Sequence, residues 1–158
     1  MDNRLFRDAM GKFATGVTVI LTETDGDPHG MTANAFMSVS LDPKLVVISI
    51  KENARMLSKI QESKKFSVNI LAAQQEDISM IFAGQLKDQQ VSFGRLADMP
   101  VIPDALAQVA CEVSAEYVEG DHTLFIGRVK DIKLEDGNPL LYFAGRYRNL
   151  EDLAEVSN

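Results

Sequence analysis

"AQVACEVSAEYVEGDHTLFIGRVKDIKL", residues 107 to 134, reads as two long strands joined at Glu119-Gly120-Asp121-His122. Both arms, Ala107 to Tyr117 and Thr123 to Leu134, are rich in the β-branched and aromatic residues that suit a pleated surface, and the Gly-Asp step between them is turn chemistry. A hairpin of this length makes the C-terminal third β, and the question becomes whether the rest follows.

It does, working outward. Leu45-Val46-Val47-Ile48-Ser49-Ile50 is a short, continuously apolar run that predicts a buried strand, and Phe66 to Leu71 predicts another. Val17 to Glu23 sets Val17, Val19 and Leu21 against Thr18, Ile20 and Thr22. A turn over 25–30 then leads into "HGMTANAFMSVS", residues 29–40, so that the two segments predict a hairpin. Leu140 to Phe143 is a last strand.

Helical spacing occurs in three places. Residues 3–14 carry Leu5, Phe6, Ala9, Met10 and Phe13 on one face, with Asp2 or Asn3 as N-cap and Gly16 beyond the end. From Asn53, the residues Ala54, Met56, Leu57 and Ile60 recur at helical intervals up to Lys64-Lys65. A third helix from Gln74 uses Ile78, Ile81 and Phe82, with Gly84 as its terminal glycine. Residues 85–104 read as an irregular connection, and 148–158 as a tail or short docking helix. Helices so few and so unevenly placed rule against βαβ repeats and point to an antiparallel barrel or sandwich with helices outside, in one domain over 1–158.

Composition narrows the function classes. The 158 residues are 46% hydrophobic and 25% charged, as in ordinary globular proteins, and the net charge of −7 argues against nucleic acid as the main partner. A single cysteine, Cys111, excludes an internal disulfide and disfavours thiolate metal sites, which points to a reducing compartment, the cytoplasm. No stretch approaches a membrane span, and the opening MDNRLFRDAM lacks the order of a signal peptide.

Familiar catalytic patterns are missing. There is no Gly-x-Ser-x-Gly elbow, His29 and His122 have no ligand-spaced companions, so no metal site is expected, and neither a Walker loop nor Gly-x-Gly-x-x-Gly occurs. Two subtler features remain. Small side chains at Thr32, Ala33, Asn34, Ala35 and Ser38 would let a flat ring approach the backbone, or would suit an edge strand at a subunit contact. The Ser49–Arg55 segment passes from a strand into a helix, so the free amides of the first turn, with Asn53 as cap and Lys51 or Arg55 nearby, can receive a phosphate or can form a plain junction. The residues alone leave both alternatives open.

The segments "FRDAMGKFATGVTVI", "GMTANAFMSVSLDPKLVVISI", "FSVNIL", "FAG" and "GDHTLFIGRV", in this order and spacing, resemble short-chain flavin reductases. The likeness runs from about Phe6 to Tyr147. It points to the small reductase component of two-component monooxygenases of the phenol and 4-hydroxyphenylacetate hydroxylase type. The resemblance implies a split β-barrel with a Greek-key core, a homodimer, FAD or FMN, and NADH as hydride donor, with reduced flavin supplied to a partner oxygenase. It implies that Met31, Thr32, Ala33, Asn34 and Ala35, with Ser38 and Val39, line the flavin. Its phosphates would fall to Ser49, Ile50, Lys51, Asn53, Ala54, Arg55 and Met56, and Ala83, Gly84 and Gln85 would complete the pocket. His122 would sit beside the nicotinamide as an orienting hydrogen-bond donor, near Gly145, Arg146 and Tyr147, with Phe13 a further contact. Cys111 reads as buried packing. Two other classes stay open: a flavin-binding oxidase or sensor without NADH turnover, and a non-enzymatic dimer whose small-residue strand is an interface.

Overall fold

The structure, a computed structural model, describes residues 1–150. In chain order the elements are α1 (Asn3–Gly11), β1 (Thr15–Gly16), β2 (Thr18–Thr24), β3 (Asp27–Ala33), β4 (Phe36–Leu41), β5 (Lys44–Lys51), α2 (Arg55–Ser63) and β6 (Lys65–Ile70). A 3-10 turn (Ala73–Gln75) leads into α3 (Glu76–Phe82), then β7 (Gly94–Leu96), β8 (Met99–Val101), β9 (Ala107–Glu119), β10 (His122–Leu134), β11 (Leu141–Phe143) and β12 (Arg146–Arg148).

Seven strands form one antiparallel sheet in the order β3-β2-β6-β9-β10-β5-β4. The β9–β10 hairpin is its spine, paired from His122 opposite Glu119 to Leu134 opposite Ala107. Gly127 is required there: a Cβ would lie 2.4 Å from Phe66 Cζ and 3.0 Å from Cys111 Cβ. Cys111 is buried, as expected, and desolvation pushes its thiol up to about 12.

One expectation fails at the most informative place. Residues 29–40 are not a single strand: β3 pairs with β2 at one edge of the sheet, whereas β4 pairs with β5 at the other. Only Asn34 and Ala35 separate these two edge strands in sequence. The sheet must therefore curl until its edges approach at that end. No ladder joins β3 to β4 among the described residues, so the sheet stays open along this seam.

Two clusters form the interior. Ile20, Ile48, Ile50, Phe66, Val68 and Phe125 fill the curl beneath Met56 and Ile60 of α2. Val19, Leu21, Leu71, Ile102, Ala105 and Leu140 form the second, against Phe82 of α3. β2 lies between them and is buried on both faces, which its alternation of Val with Thr did not indicate. The 85–104 connection is more ordered than its prolines suggest, since β7 and β8 pair and Met99, Val101 and Ile102 are buried. Ser67 Oγ donates to the Pro100 carbonyl at 2.7 Å and the Ile102 amide donates to Asn69 Oδ1 at 2.8 Å, which satisfies polar groups inside the core.

The helices are shorter than the sequence predicts. α1 is capped by Asp2, whose Oδ1 accepts from the Arg4 amide at 3.0 Å, and it stops at Gly11 because the chain must turn into β1. None of its residues is buried. α2 ends at Ser63, and Lys64 takes the left-handed capping conformation instead of extending the helix. β1, β11 and β12 make a second, three-stranded sheet. Arg148 ends β12 opposite Leu141, so it is not tail; the rest of the expected 148–158 segment lies mostly outside the described residues. No helix among the described residues is long and apolar enough to cross a membrane.

Candidate functional site

Strand alternation builds the site. On β5, Val46, Ile48 and Ile50 point into the core, so Leu45, Val47, Ser49 and Lys51 occupy the opposite face. On β10, Thr123, Phe125 and Gly127 are buried and His122, Leu124 and Ile126 take that same opposite face. The apolar run at 45–50 is thus buried on one face only.

Its other face floors a cavity of about 760 Å³, within the range of small-molecule sites. Val47, Ser49 and Leu124 contribute the floor, the 13–16 segment one wall, and Asn34 to Met37 another. Ser49 is opposite Leu124 and donates its amide to the Ala35 carbonyl at 3.3 Å, so these three residues form one row across the sheet. Thr18 Oγ1 is engaged by the Ala33 carbonyl at 2.6 Å. Thr15 Oγ1 is buried with no hydrogen-bond partner among the described residues. Two groups in an apolar lining, the Asn34 amide and the Ser49 hydroxyl, also make no hydrogen bond among the described residues.

A smaller cavity of about 170 Å³ adjoins it, bounded by Thr32, Ala33 and Asn34 together with Ser79, Ala83 and Gln85. Thr32 Oγ1 donates to the Ser79 carbonyl at 2.6 Å, and the buried Ser79 hydroxyl meets Tyr147 Oη at 2.6 Å. Tyr147 stands edge-on to Tyr142, with ring centroids 5.4 Å apart. A third cavity, between α1 and the turn at Ala144-Gly145, includes Phe13 and Gly145. Asn34 lines all three, which makes them branches of one cleft along the seam.

Several expected residues lie elsewhere. Ile50 and Met56 are core side chains, and the partly buried Met31 and Ala54 pack against that core. Ser38 and Val39 are exposed on edge strand β4 at a register shift, and Gly84 and Arg146 are exposed beside the cleft without lining it. At the strand-to-helix junction the N-cap is Ala54, which supplies no side-chain cap, so Asn53 is not the cap. That leaves the first turn of α2 without a capping side chain, next to Lys51, Asn53 and Arg55, all exposed.

His122 follows the same geometry. It pairs with Lys51 and shares a face with Leu124, one step along β10 beyond the cavity floor. The Glu52 amide donates to the Asp121 carbonyl at 2.9 Å, which ties this hairpin tip to the junction. His122 Nδ1 lies 2.7 Å from Asp121 Oδ1, and this hydrogen bond is the main reason the Asp121 carboxyl is held below the ordinary carboxylate range.

Sequence reasoning passed over Thr15, Val47, Leu124, Ser79 and Tyr142. Val47 and Leu124 carried a usable signal, because a strand apolar on both faces needs two things to cover it. Ser79 carried none, being indistinguishable from a solvated helix position. His29 lies in β3 with its Nε2 3.2 Å from Thr24 Oγ1, and no group of three metal-ligating side chains occurs among the described residues.

Comparison with known proteins gives the chain its relatives. A family model described as flavin reductase like domain matches residues 10–151. An NADH-dependent flavin reductase from Rhodococcus sp is 45% identical over 149 residues, covering 92% of this chain and 85% of that protein. The reductase component of 4-hydroxyphenylacetate 3-monooxygenase from Thermus thermophilus is 38% identical over 146 residues, covering 92% and 95%. Among solved structures, flavin reductase PheA2 in its native state superposes with a TM-score of 0.93 at 63% identity, covering 94% of this chain and 98% of that one.

Proposed function

The chain belongs to the flavin reductase like domain family, and we propose that it is an NADH-dependent flavin reductase that binds FAD or FMN at the seam and supplies reduced flavin to an oxygenase component. The observation that carries this reading is the apolar cavity of about 760 Å³ with Thr15, Asn34 and Ser49 as its unengaged polar groups. Such a lining suits a flat heterocycle with a polar edge. Its faces need apolar contact, and its heteroatoms need a few placed donors and acceptors.

Val47 and Leu124 give the ring a flat apolar floor, and Asn34, Ser49 and the Thr32–Ala35 backbone orient its edge. Lys51 and Arg55, with the uncapped amides at the start of α2, receive the flavin phosphates. Bound together, the dihydronicotinamide would supply hydride from C4 and the flavin would accept it at N5. The chain contributes by holding the two rings together and keeping water out. His122 Nε2 is available to orient the nicotinamide while Nδ1 is held by Asp121, with Gly145, Arg146 and Tyr147 on the dinucleotide side.

We assign the protein to the cytoplasm, as one flavin-binding domain that works as a homodimer. The support for the dimer is the second apolar face of the sheet. Along β4, Met37, Val39 and Leu41 are 59%, 47% and 87% exposed, a stretch that a second copy would cover. The test is absorbance at 340 nm with NADH, with and without added FAD or FMN. Flavin-dependent loss of NADH is expected. Flavin bound with no NADH oxidation would refute the reductase reading and leave a flavin-binding protein.

A further inference from the structure

The small branch of the cleft, about 170 Å³, holds a buried hydroxyl that no role assigned so far uses. Ser79 lies in α3 with none of its surface exposed, and its two oxygens reach different elements. The carbonyl accepts from Thr32 Oγ1 of β3 at 2.6 Å, and the hydroxyl meets Tyr147 Oη of β12 at 2.6 Å. One residue thus spans the branch from the seam strand to the second sheet.

Burial decides which of the two hydroxyls donates. Each carries one proton, and Ser79 Oγ makes no hydrogen bond except that to Tyr147 among the described residues. Were the phenol the donor, the Ser79 proton would be buried with no acceptor, which folded proteins avoid. With Ser79 as donor the serine is satisfied inside the protein. The phenolic proton is then left over on a half-buried side chain that lines the branch, with its ring held edge-on by Tyr142 at 5.4 Å between centroids. No acidic or basic residue bounds this branch among the described residues, so the donor suits an uncharged oxygen and not a phosphate.

We infer that Ser79 is a positioning residue: by donating to Tyr147 Oη it turns the phenolic proton into the small branch, toward a carbonyl or hydroxyl oxygen of a bound cofactor. The inference rests on the reductase reading above and gives that site a residue acting from behind its lining. Flavin and nicotinamide dinucleotide both carry such oxygens, and the experiment separates them.

The experiment is a double-mutant cycle of Ser79→Ala and Tyr147→Phe, read as the FAD dissociation constant and the KM for NADH at saturating FAD, with the unfolding midpoint as the control for fold. Each single variant should weaken the same constant by about threefold to tenfold, the loss of one neutral hydrogen bond. A rise in the FAD constant puts the acceptor on the flavin and a rise in KM puts it on the hydride donor; either supports the inference. In the Tyr147→Phe background Ser79→Ala should cost that constant nothing further, because the proton it orients is already gone. Ser79→Thr, which keeps the donor, should retain the parental value. Additive losses would mark a structural duty alone and overturn the inference, as would a Thr variant as weak as the Ala variant. Unchanged constants in Tyr147→Phe would overturn it too, even where Ser79→Ala does not fold. A parent without flavin-dependent NADH oxidation would refute the reductase reading itself, and the inference would fall with it.

Discussion

Replacing Asn34 with alanine should damage ligand binding and leave the fold alone. Asn34 is the residue common to all three branches of the cleft, and its amide makes no hydrogen bond among the described residues. Its contribution to the fold is through the backbone, whose carbonyl accepts from the Phe36 amide at 3.0 Å, and alanine preserves that. If the amide serves bound cofactors, one or two neutral hydrogen bonds of about 0.5–1.5 kcal/mol each are lost, together a few-fold to about a hundredfold in affinity. Flavin dissociation constants from fluorescence quenching and KM for NADH measure the loss, and thermal unfolding without ligand provides the control. The expected result is weaker binding of flavin, of NADH, or of both, with Tm within about a degree or two of the parent, as for surface substitutions. Unchanged constants for both ligands would refute the claim that the cleft converges on Asn34. A large drop in Tm would show that the side chain has a structural duty.

Further predictions follow from neighbouring elements. His122→Ala should leave flavin affinity nearly unchanged and lower NADH efficiency by a few-fold to about a hundredfold, the range for one positioning hydrogen bond; equal steady-state kinetics would make His122 a turn residue only. Arg55→Ala should weaken flavin binding about tenfold or more, most clearly at low salt, if the guanidinium reaches phosphate; a salt-independent, unaltered constant would mean the α2 amides suffice. Gly127→Ala forces a methyl group against Phe66 and should destabilise by about 1–3 kcal/mol in urea unfolding, because core overpacking of this kind has few ways to relax; a parental midpoint would show that the Phe66 ring yields freely.

Much of the fold was legible because strands announce themselves locally. Residues 107–134 carried their own pairing partner and turn, and 45–50 and 66–71 were apolar enough to read as strands, although 45–50 is buried on one face only. The cleft was less legible because it depends on where strands lie in the sheet. Residues 29–40 look like one strand, since nothing in Met31 to Met37 states that the chain passes from one edge to the other at Asn34-Ala35. The small side chains there, Thr32 to Ala35, do line the cleft. The reason was hidden, because the two halves of the segment belong to different edges. Ser79 and Tyr147 were separated by most of the second half of the chain, and their 2.6 Å contact has no local signature.

The cavity floor also has a kinetic consequence. β2–β3, β4–β5 and β9–β10 are hairpins that can form early from neighbouring residues, but β5 meets β10 only after the whole middle of the chain has been placed. Val47, Ser49 and Leu124 therefore come together at one of the most topologically demanding steps of folding. A chain arrested before that step would have most of its hairpins and no ring site, and a ligand gripping this floor would act as a clasp across a long loop closure. Its binding should slow unfolding more than it speeds folding, since the contacts it fastens are absent from the early ensemble.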